Sequence, residues 1–293
     1  MTRHFLNLKD LPAEDIHSIV SKAEAMKKKP SFDSQLEAKY LALIFEKSST
    51  RTRLSFEVAM NQLGGKASFL TVNDMQLGRG EPISDTSKVI SSMADAVVIR
   101  ALKHETLTEF AKHSSVPVIN GLTDLSHPCQ LLADILTFQE HRGSIKNKKV
   151  CWVGDYNNVC YSYIEASEIF DFNLVIACPD KYQPKGLNLP SNVEITSSIN
   201  EGLSNSDLVS TDVWVSMGDE HESSQRIKAF SDFQISPKVM DQANQDAIFL
   251  HCLPAIRGQE ISESMLDDPR SKVWDQAENR LHAQKSLLLE LLK

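Results

Sequence analysis

Tyr40-Leu41-Ala42-Leu43-Ile44-Phe45 runs into Glu46-Lys47-Ser48-Ser49-Thr50-Arg51-Thr52-Arg53, and then into Leu54-Ser55-Phe56-Glu57-Val58-Ala59-Met60-Asn61-Gln62-Leu63-Gly64-Gly65. The first six residues form a short apolar run of the kind buried in the middle of a parallel sheet. The last stretch has a different period. Phe56, Ala59, Met60 and Leu63 fall at i, i+3, i+4 and i+7, which predicts one buried face of a helix over Thr52–Leu63. Gly64-Gly65 ends it, because glycine accepts the left-handed turn that closes a helix. Strand, polar loop and helix in this order are one unit of an α/β fold.

The same unit repeats outward along the chain. Strands are expected at Ala67–Leu70, Ala96–Arg100 and Val116–Asn120, with helices at Asp85–Met93 and Leu107–His113. His127–His141 reads as a longer helix with Pro128 in its first turn. A second run follows, with strands at Val150–Val153, Leu174–Cys178, Leu208–Thr211 and Ile248–His251 and a helix at Val159–Phe170. Ala277–Leu292 is a leucine-rich helix that closes the chain. The expected architecture is α/β, two doubly wound parallel-sheet domains joined by two interdomain helices. The first domain takes residues 1–130 plus 276–293, and the second takes 131–275. In such sheets ligands bind at the carboxyl ends of the strands.

Composition excludes several classes. The net charge of −8 argues against broad nucleic-acid binding, which needs a basic surface. No apolar run approaches the roughly 20 residues of a membrane span. Residues 1–10 carry no signal-peptide core, and the five cysteines (Cys129, Cys151, Cys160, Cys178 and Cys252) are scattered, with no zinc-type spacing. This fits a cytoplasmic protein that binds neither nucleic acid nor membrane and needs no metal, and an organelle matrix after processing would look alike.

The candidate chemistry lies just after strands. Glu46–Arg53 joins a strand to a helix start, where unpaired N–H groups and the helix dipole favour an anion. Ser49, Thr50 and Thr52 add hydroxyls, and Arg51 and Arg53 add charge. Ser-Thr alone would be an ordinary helix cap; the two arginines favour a phosphate. The loop is not a Walker loop, for the G-x-x-x-x-G-K-[ST] spacing is absent. His127 and Gln130 are three apart at a helix start and can face one point, although a lone His there is more often a cap neighbour. Asp212 follows a strand and can meet an ammonium group; most such aspartates only form turns. Cys252 follows another strand, without the His and Asp spacing of a covalent nucleophile.

Ser49-Thr50-Arg51-Thr52-Arg53 after a strand resembles the carbamoyl-phosphate motif of the aspartate and ornithine carbamoyltransferases. Three more segments in chain order carry the resemblance: His127-Pro128-Cys129-Gln130-Leu131-Leu132-Ala133-Asp134, Asp212-Val213-Trp214-Val215-Ser216-Met217-Gly218, and His251-Cys252-Leu253-Pro254. The last two are similar to the ornithine branch; the aspartate branch lacks the D-x-x-x-S-M-G string. The resemblance implies transfer of a carbamoyl group from carbamoyl phosphate to the δ-amine of L-ornithine, without cofactor. It assigns Ser49, Thr50, Arg51, Thr52, Gln76, Arg100 and Arg280 to the phosphate. Arg100 and His127 polarise the carbamoyl carbonyl with Thr52, and Gln130 and the Leu253 carbonyl orient the group. Asn158, Asp212, Ser216, Met217 and Cys252 fall to ornithine. Because Gln76 serves a neighbour's site in this family, a homotrimer with shared active sites is implied. Two departures stand out. The segment between Pro179 and Leu208 is short, as though a helix were trimmed to a loop and a brief turn, and Val159-Cys160-Tyr161 is bulkier than in many relatives.

The chemistry asks for an uncharged amine, yet ornithine's δ-ammonium has a lysine-like pKa near ~10.4. Desolvation would lower it and Asp212 would raise it, so Asp212 is expected to grip the α-ammonium. Putrescine or an acylated ornithine is the closest alternative acceptor, and a small-anion or amino-acid sensor is the alternative from another class. Arg51→Ala should cripple carbamoyl-phosphate binding, whereas Asp212→Ala should weaken ornithine use with the donor site nearly intact. Unchanged donor binding by Arg51→Ala would remove the phosphate cradle.

Overall fold

In a computed structural model the chain divides into two units, residues 1–136 with 278–293 and residues 137–277. Residues 2–29, 34–71, 75, 80–184, 186–215 and 220–292 are described.

The first unit starts with helix α1 (Ala13–Lys28), whose Ile16, Ile19, Val20 and Ala23 are buried on one face. Then come β1 (Tyr40–Phe45), α2 (Thr50–Gln62), β2 (Lys66–Thr71), α3 (Ile83–Ser91), β3 (Ala96–Arg100), α4 (His104–His113) and β4 (Val118–Leu122). The four strands are parallel in the order β2-β1-β3-β4. From β1 to β2 the chain winds one way and from β1 to β3 the other, so the order reverses between β1 and β3. Helix α2 closes as its glycines suggest. Gly64 donates to Asn61 and Gly65 to Met60, both at 3.0 Å, with Gly64 at φ +84°.

The boundary between the units falls within α5 (Pro128–Arg142). In the second unit β5 (Lys149–Val153), α6 (Asn158–Ile169), β6 (Asn173–Ala177), β7 (Val193–Thr196), α7 (Ile199–Leu203), β8 (Leu208–Thr211), α8 (Ser223–Phe230), α9 (Pro237–Met240) and β9 (Ile248–His251) follow. The five strands are parallel in the order β7-β6-β5-β8-β9, reversing between β5 and β8. The chain returns to the first unit within α10 (Val273–Leu292).

Two parallel-sheet α/β units are what the sequence predicted, and several elements differ in detail. β4 starts at Val118 rather than Val116, because Pro117 has no N–H and only its carbonyl joins the ladder, accepting from Val97 at 2.9 Å. The short segment before β8 is more than loop and turn: it supplies the edge strand β7 and the five-residue α7. Helix α1 and the short α8 and α9 were not anticipated.

Close packing of α7 on its sheet rests on Gly202. A Cβ built there would stand 2.9 Å from both Ala177 Cβ and Cys151 Sγ. Gly202→Ala should therefore destabilise the protein by about 1–3 kcal/mol through overpacking. Thermal unfolding would show it as a lowered Tm; an unchanged Tm would mean that α7 shifts freely.

Candidate active site

The carboxyl ends of β1 and β3, flanking the reversal of strand order, hold the cationic groups of the first unit. Ser49 caps α2, its Oγ accepting from Thr52 N–H at 3.3 Å. Thr50 at the helix start is exposed, Arg51 is half-buried, and Thr52 faces inward at 1% exposure. Arg100 is the last residue of β3 and is buried, with its carbonyl accepting from Glu46 N–H at 2.9 Å.

Thr52 meets Arg280 of α10 and the start of α5. Arg280 Nη2 donates to Thr52 Oγ1 at 3.3 Å, and Nη1 donates to Gln130 Oε1 at 2.7 Å. The Gln130 amide is in turn fixed by donating to Asp134 at 2.9 Å. Arg280 Nη1 also lies 3.5 Å from His127 Nε2. His127 is held well below its ordinary 6.5, first by burial and then by the charges of Arg280, Arg100 and Arg51. A neutral imidazole thus stands in the field of three guanidinium groups.

Arg53 does not join them. Its Nε pairs with Glu57 at 3.1 Å and its guanidinium lies 3.8 Å from the Phe69 ring centroid, on the wall of an outward cleft of about 550 Å³. Glu57 is one turn on, the ordinary i, i+4 spacing of a helical ion pair.

In the second unit, the loops after β5, β8 and β9 meet at Asp212. Its Oδ2 accepts from Asn157 Nδ2 at 2.8 Å, and its Oδ1 accepts from Val213 N–H at 2.8 Å and from the Cys252 thiol at 3.0 Å. Asn157 also caps α6, its Oδ1 accepting from Val159 and Cys160 N–H at 3.0 Å each. Asn158 is the first residue of that helix and half-buried. Val159 and Cys160, bulky in sequence, are packed in the interior.

The segment after β9 is held from behind. Leu253 has φ +56°, a left-handed conformation that a branched side chain rarely adopts. Its N–H donates to His251 Nδ1 at 2.9 Å, which leaves Nε2 carrying the proton that faces Glu260 at 3.1 Å. His251 and Glu260 are fully buried, and the peptide after Leu253 is cis to Pro254. Asp212, His251 and Cys252 bring one possible metal ligand each within 4.8 Å of one another. Both imidazole nitrogens are already engaged, so the group fits a hydrogen-bonded cluster better than a metal centre.

Burial separates the cysteines. The thiols of Cys129 and Cys151 are pushed up to about 12, and that of Cys160 well above its ordinary value. Cys252 is half-exposed beside Asp212.

Gln76, Ser216 and Met217 lie outside the described residues. The other residues singled out in the sequence fall into two groups, Ser49, Thr50, Arg51, Thr52, Arg100, His127, Gln130 and Arg280 in the first unit, and Asn158, Asp212, Cys252 and Leu253 in the second. Asn157, Glu260 and Gln284 were missed. Asn157 stands two residues before the predicted helix start at Val159, beside the Asn158 that was singled out. Asp155 and Arg226 were missed as well; they form a buried ion pair at 2.8 Å, and Arg226 also donates to the Trp214 carbonyl at 3.2 Å.

Two family profiles match the chain: "Aspartate/ornithine carbamoyltransferase, carbamoyl-P binding domain" over residues 3–140, and "Aspartate/ornithine carbamoyltransferase, Asp/Orn binding domain" over residues 146–291. The chain belongs to the aspartate/ornithine carbamoyltransferase family. Among its relatives, the anabolic ornithine carbamoyltransferase of Pseudomonas aeruginosa is 53% identical, covering 99% of this chain and 97% of the relative. The crystal structure of ornithine carbamoyltransferase from Burkholderia thailandensis superposes with a TM-score of 0.91 at 45% identity, covering 99% of this chain and 98% of that one. That of the anabolic enzyme from Campylobacter jejuni gives 0.92 at 44% identity, covering 99% of each.

A depressed His127 has a definite pH signature. Below its ordinary pKa of 6.5 the unfolded chain binds a proton that the folded protein refuses. Stability is therefore lost as pH falls, at up to about 1.4 kcal/mol per pH unit. His127→Asn should remove this loss, so parent and variant should diverge in denaturant unfolding at acid pH. Parallel losses would mean that the folded imidazole titrates normally.

Proposed function

We propose that the chain is an ornithine carbamoyltransferase, transferring the carbamoyl group of carbamoyl phosphate to the δ-amine of L-ornithine to give L-citrulline and phosphate. The observation that carries this reading is the convergence of Arg51, Arg100 and Arg280 on a neutral, buried His127 beside the first turn of α2. Three guanidinium charges and a helix N-terminus suit a dianionic phosphate. A neutral imidazole among them suits a carbonyl oxygen that becomes an oxyanion. The names of the relatives support the acceptor, as does the Asp212–Cys252 pair.

In this mechanism Ser49, Thr50, Arg51, Thr52, Arg100 and Arg280 hold the phosphate, with Gln76 of a neighbouring chain. Thr52, Arg100 and His127 donate to the carbamoyl oxygen; removal of one such donor costs about 3–4 kcal/mol of transition-state stabilisation. Gln130 and the Leu253 carbonyl orient the carbamoyl group. Ornithine is held by Asp212, Asn158, Ser216, Met217 and Cys252, with Asp212 at the α-ammonium. The neutral δ-amine attacks the carbonyl carbon. A C–N bond forms, the C–O bond to phosphate breaks, and the amine's proton leaves with or after the phosphate. Asp212 already accepts from Asn157, Val213 and Cys252, so it is fixed in place before any substrate arrives. On the same reading the enzyme is cytoplasmic and works as a homotrimer with shared sites.

The test is direct. Purified protein with carbamoyl phosphate and, separately, L-ornithine, putrescine or an acylated ornithine should yield ureido product with L-ornithine. Product from putrescine and none from ornithine would reject the acceptor, and none from any amine would reject carbamoyl transfer.

A further inference from the structure

Gln284 is fully buried on α10, one turn beyond Arg280 and therefore on the same helix face. Its amide lies between the Arg280 guanidinium and Ser55 of α2, and the hydrogen bonds fix which way it faces. With the oxygen toward Arg280 it accepts from Nε at 3.2 Å and from Nη2 at 2.9 Å, while its nitrogen donates to Ser55 Oγ. The opposite orientation would set the amide NH2 against a guanidinium, donor against donor. It would also ask the Ser55 hydroxyl, with one proton, to donate to Gln284 as well as to the Arg51 carbonyl at 2.6 Å. One amide thus ties Arg280 to the turn of backbone that carries Arg51 and Thr52.

We propose that Gln284 is a positioning residue of the carbamoyl-phosphate site. Through Ser55 on one side and Arg280 on the other, it holds the guanidinium of Arg280 in register with the first turn of α2. The inference rests on the donor site described under the proposed function. The chemistry of the residue matters as well as its place. Gln284 accepts along one edge of the guanidinium, from Nε and Nη2, while Gln130 accepts from Nη1. Rotation of the planar group is thereby fixed. Because the acceptor is an uncharged amide, it orients the cation without drawing on its charge. A carboxylate of the same shape would hold the group equally well and compete with the phosphate for it.

Two variants separate these roles. Gln284→Glu keeps volume and adds the competing charge; Gln284→Met keeps volume and removes the tether. Binding of carbamoyl phosphate and of inorganic phosphate is measured by calorimetry on the full-length protein, without ornithine, with Arg280→Ala as the reference for a lost arginine. Turnover then gives the KM for each substrate. Gln284→Glu should weaken both phosphate ligands by roughly 10–100-fold and Gln284→Met by roughly 3–10-fold, as expected for one lost or opposed charge-assisted hydrogen bond. The KM for ornithine at saturating donor should stay within about twofold. A residue that merely fills space would leave phosphate affinity untouched in any variant that folds. Parental affinity in the folded Met variant, or in both, would overturn the proposal. If Arg280→Ala itself bound phosphate as tightly as the parent, the donor-site reading would fail first, and the role of Gln284 with it.

Discussion

Parallel strands all leave a sheet at the same edge, and this one constraint decides where chemistry can occur in the molecule. Where the strand order reverses, successive connections cross to opposite faces and leave a gap at the carboxyl edge. In the first unit the gap lies between β1 and β3, and the loop after β1 and the end of β3 supply the Ser49–Thr52 turn and Arg100. In the second it lies between β5 and β8, and the loops after those strands supply Asn157, Asn158 and Asp212, with Cys252 after the adjoining β9. Each group of residues owes its assembly to sheet order before any side chain is considered.

What collects at the first gap is costly to bury. Arg100, His127, Gln130, Arg280 and Thr52 are each at most 8% exposed. Buried polar groups must be hydrogen-bonded or they destabilise the fold, and a satisfied network fixes its members in one arrangement. The network Asp134–Gln130–Arg280–Gln284–Ser55 does so with several uncharged members. The imidazole of His127 answers the same field by staying neutral. Cationic charge is thereby gathered in one buried place, in a chain whose total charge is −8. Net charge speaks for the whole surface and says nothing about one pocket.

Strands and long helices were legible because burial imposes a period on the sequence. β1, β3, β8 and β9 have the bounds that their apolar runs indicate. The edge strand β7 has only four residues, Val-Glu-Ile-Thr, too few to show a period against a polar background. Helix α1 did show one in Ile16, Ile19, Val20 and Ala23, but charged neighbours diluted it. In the site, positions just after strands were legible and their partners were not. Asn157, the residue passed over, donates to Asp212, and nothing in two adjacent asparagines distinguishes them before the backbone is known. Gln284 and Glu260 act through residues distant in the chain or behind a turn, where spacing carries no signal. Arg53 is the converse case: its partner Glu57 was readable at four residues' distance, and the pull of the motif hid it.

The last helix gives the molecule a history. Ser55 and Gln284 are 229 residues apart in the chain, and both belong to the first unit. On the ribosome, the segment 1–136 emerges long before α10 exists. Until α10 is in place, the faces that receive Arg280 and Gln284 have no occupant. Closing so long a loop carries an entropic cost that contacts within residues 1–136 do not. A chain truncated before residue 280 would be missing a structural wall and a cation in a single stroke. Docking of α10 and completion of the Arg280–Gln284–Ser55 contacts are, in this fold, the same event.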